Sequence, residues 1–340
     1  MPSRSVRPFV LLALLVLGCF MLHLFVGSVH LPLSDVLRAL IAPSSVDGNT
    51  LTIVRDIRLP QAVAALTAGA GLAVCGLLMQ TLFRNPLAGP SVLGISSGAS
   101  LGVALVMLAG GALQLSSFTS PAALIVAGSV GSATVLLLVL WADRRVGDGT
   151  TLLIVGLLIS YLCSAFISVL QASSSADALK GFVVWGMGTF AAVAPQQLAW
   201  FGVPVLLGLL MAALAIKPLN ALLLGEDHAR SVGVEVAVVR TGLLMVTGLL
   251  AGVITAFCGP IAFVGMVTPH IARALLRTGD HARLLPATLL CGSLLALFAD
   301  LVARSGWLGG PVPLNSVTSL MGVPVVMWVL FSGKRWVRST

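Results

Sequence analysis

Residues 61–83 run the width of a bilayer without one Asp, Glu, Lys or Arg, and residues 198–216 do the same. About 20 such residues in a helix cross the hydrocarbon core, where a helix satisfies its own backbone N–H and C=O groups. The pattern repeats along the chain. Spans are expected at 8–29, 61–83, 91–110, 118–141, 150–171, 198–216, 240–258, 262–276, 284–303 and 313–332, ten in all. The eighth is short for a full crossing and reads as a tilted or broken helix buried among its neighbours. With 58% hydrophobic and 9% charged residues, against roughly 25% charged in soluble domains, a water-soluble globular domain is excluded. The expected fold class is an all-α polytopic membrane protein in which residues 1–340 form a single transmembrane domain.

The formal net charge of +8 does not make a nucleic-acid surface, because the basic residues stand singly between apolar runs and offer a phosphate backbone no face to follow. Membrane lipid is the partner that fits them, through anionic headgroups and the positive-inside rule. With a cytoplasmic N-terminus, 14 of the 19 basic residues lie inside, Lys334, Arg335 and Arg338 among them, and only Arg38, Arg55, Arg58, Lys180 and Arg304 lie outside. Adding or removing one span midway destroys that split, so both termini are expected in the cytoplasm.

Arg4 and Arg7 before an apolar stretch imitate a signal peptide, and Val16-Leu17-Gly18-Cys19 loosely imitates a lipoprotein cleavage box. Beyond Cys19 the chain stays apolar, so 8–29 is read as a retained first span, with cleavage as the alternative. Cys19, Cys75, Cys163, Cys258 and Cys291 show no disulfide or metal spacing and read as small buried hydrophobes. No GxxxxGK[ST] loop is present, so any ATP that drives this chain is hydrolysed elsewhere.

Local chemistry marks the connections. Segment 33–40 reads as an amphipathic helix on the membrane surface, capped by Ser34 or Asp35. The inner connection 217–239 reads as two short helices, capped by Asn220 and by Glu226 or Asp227 and punctuated by Gly225 and Gly233, a docking element more readily than a linker. Arg84-Asn85-Pro86 closes a span on the inner side, either as a membrane-edge turn or as a gate contact. Gly259-Pro260 and Pro269-His270 read as further breaks, outer and inner, with His270 on the inner rim. Small residues at Gly69, Ala73, Gly76, Gly98 and Gly102 predict close helix packing. Asp300 lies within a membrane helix and Arg304 follows one turn later, an ion pair in the favourable order. A chain of buried acids, as a proton-driven pump needs, is not seen. His23 and His30, near the outer end of the first span, are candidates to touch a haem-like ligand.

Four ordered blocks carry a family resemblance: Arg58-Leu59-Pro60-Gln61 with Gly69-Ala70; Gln80 to Gly94, including Arg84-Asn85-Pro86-Leu87-Ala88-Gly89-Pro90; Leu224-Gly225 with Ala229 and Gly233; and Gly259 to Arg273, followed by Asp300 and Arg304. Together they resemble the FecCD family of ABC importer permeases, which includes vitamin B12, haem and ferric-siderophore channels, over about residues 30–332. Two departures stand out: Gln61 replaces the arginine usual in Arg-Leu-Pro-Arg, and Pro313-Leu314-Asn315-Ser316 replaces a Leu-Pro-hydrophobic-Gly pattern.

The resemblance implies a type II ABC importer permease fold with an inverted internal repeat relating spans two to five to spans seven to ten. It implies a second copy of the chain, two cytoplasmic ATPase subunits that bind ATP and Mg, a periplasmic binding protein, and no cofactor on this chain. It places binding-protein docking on Arg58 and Arg304, ATPase coupling on Gly225, Glu226, Arg230 and Gly233, and the inner gate or pathway at Asp148, Gly149, Thr150 and Thr151. The chain is then a non-enzymatic inner-membrane subunit importing an iron-siderophore, haem or corrinoid-type chelate. A secondary transporter driven by an ion gradient is the alternative.

Overall fold

The chain, seen in a computed structural model, is described at residues 3–27, 29, 31–109, 120–305, 310 and 312–332. His30, Lys334, Arg335 and Arg338 lie outside the described residues. Among these, fifteen α-helices follow one another: α1 (Ser3–Phe25), α2 (Leu33–Ile41), α3 (Gly48–Thr52), α4 (Leu59–Leu82), α5 (Ile95–Ala104), α6 (Pro121–Val146), α7 (Gly149–Ala172), α8 (Ala176–Gly186), α9 (Leu198–Leu214), α10 (Ile216–Leu223), α11 (Glu226–Ser231), α12 (Val236–Cys258), α13 (Val264–Leu276), α14 (His281–Arg304) and α15 (Leu314–Ser332). A π-helical stretch, Ile53–Arg58, fuses α3 to α4, and another, Leu105–Ala109, extends α5. Seven helices are long and apolar enough to cross a membrane, and the shorter apolar helices Ile95–Ala109, Val264–Leu276 and Leu314–Val329 complete the ten expected spans.

Helix α4 is the hub. It packs along α14, α13, α12 and α9, and most of its residues are buried. Apolar side chains gain little from one another in lipid, so helices there associate through close packing and hydrogen bonds. A Cβ added at Gly69 would overlap the Gly292 carbonyl and the Ala296 methyl, and one at Gly76 would overlap the Gly265 carbonyl. The second pair also explains a break that does not occur. Pro269 lies inside α13, which continues to Leu276. Proline removes the helical donor to the carbonyl four residues back. That carbonyl belongs to Gly265 and abuts Gly76, while the Met266 carbonyl next to it accepts from Gln80 Nε2 at 3.0 Å. Helix α4 thus packs against the carbonyl that proline leaves without its helical donor and donates to the next one, and no turn forms at Pro269.

The inverted repeat is legible in which helices touch. In the first half α4 leads, followed by α5, α6 and α7; in the second α12 leads, followed by α13, α14 and α15. Helix α4 packs on α13 and α14, and α12 packs on α5 and α6. Four crossings lie between the two leaders, so they point in opposite directions. Their exits match as well: α4 ends at Arg84 with φ 47° and α12 at Gly259 with φ 74°, and the next helix starts after Gly94 (φ 77°) or Phe263 (φ 65°).

The packing argument yields a prediction. Gly76→Ala should destabilise the detergent-solubilised protein by about 1–3 kcal/mol through overpacking. Gly202→Ala, where an added Cβ meets nothing within 4 Å, should leave the melting temperature unchanged or slightly raised. Equal melting temperatures for both variants would contradict this account of the α4 contacts.

Candidate functional site

Polar side chains concentrate at the two ends of the bundle. At the end where α4 terminates, a cleft of about 510 Å³ is lined by Thr81, Arg84, Gly147, Asp148, Gly149 and Gly225–His228. Three groups singled out separately in the sequence therefore meet: the turn at Arg84, the segment at Asp148, and the connection around Gly225. Arg84 does not extend away from the protein; its Nη2 lies 2.7 Å from where a Cβ on Gly225 would sit. Gly225 has φ 117°, a conformation side chains rarely adopt, so glycine serves both the turn and the contact. Asn85 closes the α4 turn by accepting from the Leu87 N–H at 2.9 Å, and the Pro86 carbonyl lies 2.8 Å from His270 Nε2.

Asp148 caps α7. One carboxylate oxygen accepts from the Thr151 N–H and the Thr151 hydroxyl, both at 2.8 Å. The Thr151 hydrogen bonds, main chain first, hold the Asp148 carboxyl below its ordinary value. The Thr151 hydroxyl is thus committed to the cap, while Thr150 is exposed and Gly149 packs toward Phe83.

The 216–233 segment folds as α10 and α11, with Gly225 between them and Gly233 (φ 86°) after them. The caps expected there are not the ones formed. Glu226 and Asp227 lie in the first turn of α11, whose N-cap is Gly225. Asn220 sits within α10 and reaches across to α14: its Oδ1 accepts from the His281 N–H at 2.8 Å and its Nδ2 donates to Asp280 Oδ1 at 2.8 Å. The Ala282 N–H and then the Asn220 amide hold the Asp280 carboxyl below its ordinary value. Glu226 instead spends its carboxylate on two arginines, Arg230 at 3.1 Å and the buried Arg240 at 3.8 Å. Arg240 in turn lies 2.6 Å from Asp143 of α6. Neither Arg240 nor Asp143 was singled out from sequence; their one signal was a charge just inside an apolar run.

The opposite end holds a cavity of about 570 Å³ whose lining includes Gly27, Arg58, Gln61, Thr189, Asp300 and Arg304. Arg58 is only 3% exposed. Its Nη1 donates to the Leu24 and Phe25 carbonyls at 2.8 and 2.9 Å, and its Nη2 donates to Val29, so it caps the C-terminus of α1. Gly27 leaves room for that guanidinium. Arg55, one turn earlier, donates to the Ala39 and Leu40 carbonyls and does the same for α2. Helix α2 itself begins after Pro32 with no side-chain cap, so neither Ser34 nor Asp35 fills that role. Arg304 donates to the His23 carbonyl. Asp300, 4% exposed, is shared by three partners: His23 Nε2 at 2.6 Å, Gln61 Nε2 at 2.8 Å and Arg304 Nε at 3.7 Å. His23 is therefore fully buried against Asp300, away from the cavity a haem-like ligand would enter.

Gly259 and Pro260 do form the turn at this end. The turn is stitched by Asn315, which donates to the Pro260 and Gly186 carbonyls at 2.7 and 3.1 Å and accepts from the Ala262 N–H at 3.0 Å. The unusual Pro313-Leu314-Asn315-Ser316 sequence thus carries a rim hydrogen-bond network.

Residues 14–332 match the family model described as the FecCD transport family. The chain belongs to the FecCD transport family. Within it, the chain is 36% identical over 333 residues to the vitamin B12 import system permease protein BtuC of Salmonella paratyphi A (strain ATCC 9150 / SARB42), covering 98% of this chain and 97% of that one, and the same figures hold for Salmonella typhi. A solved structure described as an inward-facing conformation of a metal-chelate type ABC transporter superposes with a TM-score of 0.82 at 30% identity, covering 94% of this chain and 97% of that one. FecCD membership makes this an ABC transporter permease, a family that is not itself catalytic. Gln61, where the family pattern has an arginine, donates to Asp300 without carrying a charge.

The cap geometry separates two roles for Arg58. If the guanidinium fork holds the end of α1, Arg58→Lys should lower thermal stability by about 2 kcal/mol, because a single ammonium cannot serve three divergent carbonyls. A lysine variant that melts with the wild type would show that charge alone is needed there.

Proposed function

We propose that this chain is the permease subunit of an ATP-driven importer that carries a metal chelate or corrinoid inward across the inner membrane. The observation that carries the reading is the unbroken match across the chain to permeases bearing those names, in sequence and in fold. In this reading the Arg84 end faces the cytoplasm, which the distribution of basic residues supports. Two ATPase subunits dock on α10 and α11 of two permease copies, and the ATPases alone bind ATP and Mg.

A pair of short helices tied to the bundle at Asn220 and Glu226 suits docking, because force applied there reaches α12 and α14 without slack. A binding protein docks on the opposite end. Arg58 and Arg304 shape that mouth through the main-chain carbonyls they hold, and contribute positive field to acidic groups on the partner. The substrate passes along the face shared by two copies, near Asp148, Gly149, Thr150 and Thr151.

The test is reconstitution of the chain with its ATPase and binding protein in lipid vesicles, offering cobalamin, a ferric siderophore and haem in parallel. ATP-dependent accumulation of one of them is expected, and native mass spectrometry should count two permease and two ATPase chains. Uptake that ignores ATP, or a complex with one permease copy, would overturn the reading.

A further inference from the structure

We propose that Arg240 is the positioning residue that carries motion of the α10–α11 unit to the hinge between α6 and α7; this rests on the ATPase-docking reading above. Arg240 lies in the second turn of α12, and one buried guanidinium faces three elements. Its Nε is 2.6 Å from Asp143 Oδ1 in the last turn of α6, and its Nη1 is 3.5 Å from the Gly147 carbonyl in the hinge and 3.8 Å from Glu226 Oε1 in α11. Glu226 is equally divided: Oε1 faces Arg240, while Oε2 accepts from the exposed Arg230 at 3.1 Å. Anything that grips α11 at Arg230 therefore acts on the carboxylate that Arg240 senses. Beyond Arg240 the chain is built to turn: Gly147 has φ 67°, and Asp148 begins α7 as its N-cap.

Stability is a poor reason for such a pair. Removing a guanidinium and a carboxylate from water costs about as much as their attraction returns. The Arg240 Nη2 and Nε and the Asp143 Oδ1 are all buried without a hydrogen bond among the described residues, so charge rather than hydrogen bonding holds this pair, and buried pairs of that kind repay their desolvation least.

The inverted repeat supplies a second observation. Gly69 of α4 and Gly248 of α12 occupy matching crossings, the first against Gly292 of α14 and the second against Leu136 of α6. Eight residues before each glycine stand Gln61 and Arg240. Each meets an aspartate of the crossing helix, Gln61 with Asp300 at 2.8 Å and Arg240 with Asp143 at 2.6 Å. The two ends thus carry contacts of one construction, a neutral amide at the Arg304 end and an ion pair at the Arg84 end. Only the ion pair extends, through Glu226, to an element on the surface.

The experiment reads substrate taken up per ATP hydrolysed by the reconstituted complex of permease, ATPase and binding protein. Two variants are compared with wild type: Glu226→Gln, a partly exposed change that spares the core, and Asp143→Asn combined with Arg240→Gln, which keeps shape and amide contact while removing both charges. Each should lower the ratio about threefold or more, and in the double variant, which leaves α10 and α11 unchanged, the ATPase should still bind and hydrolyse. An unchanged ratio in Glu226→Gln, or uptake and hydrolysis falling together at constant ratio, overturns the relay. A wild-type chain that binds no ATPase overturns the docking reading and the relay with it, whereas a coupled wild type beside variants of normal ratio overturns the relay alone.

Discussion

Helices in lipid cannot rely on hiding apolar surface from water, so this fold depends on how closely α4 approaches α13 and α14. The approach is backbone to backbone, at Gly69 with Gly292 and at Gly76 with Gly265. Dispersion between atoms at contact is small for each pair but large along a helix, and it is lost quickly when a gap opens. Pro269 is tolerated because the same approach covers the carbonyl it frees. With α4 held along its length, its two ends become fixed points: Arg58 and Gln61 at one, Arg84 at the other. Both polar clusters are built on those points.

Charge at the Arg304 end is used mainly inward. Arg55, Arg58 and Arg304 all donate to carbonyls at helix C-termini, where the backbone has lost its own donors and the helix dipole is negative. A guanidinium suits that job, since its fork serves two or three acceptors at once. The cost of placing a cation near hydrocarbon is offset by groups that would otherwise be unpaired themselves.

How much of this was readable in the sequence follows from the range of each interaction. The ten spans were legible because hydropathy is summed over about 20 neighbours. The turn at Asn85 and the glycine at 225 were legible because they are local chemistry. Arg58, Asn220 and Arg240 were not, because their partners lie at residues 24, 280–281 and 143 and only the packed bundle brings them together. Pro269 was misread for the same reason: proline is a local signal, and the residues packed on the carbonyls of that turn, Gly76 and Gln80, sit on α4. The site converged better than its parts, since Arg84, Asp148 and Gly225 were each marked for different reasons and line one cleft.

Gln61 and His23 are best understood together. Asp300 is one buried carboxylate, and Arg304 already stands 3.7 Å away with Arg58 lining the same cavity. A third guanidinium at position 61 would add like-charge repulsion among groups with little water to screen them, and it would bring the desolvation cost of a further charge. An amide avoids both penalties: it donates to Asp300 at 2.8 Å and brings no charge. His23 meets the same Asp300 oxygen from α1, so the first helix is fastened to α14 by His23 and Arg304 as well as to α4 by Arg58. With a neutral amide at position 61, this end is held by contacts that α1 shares with both α4 and α14.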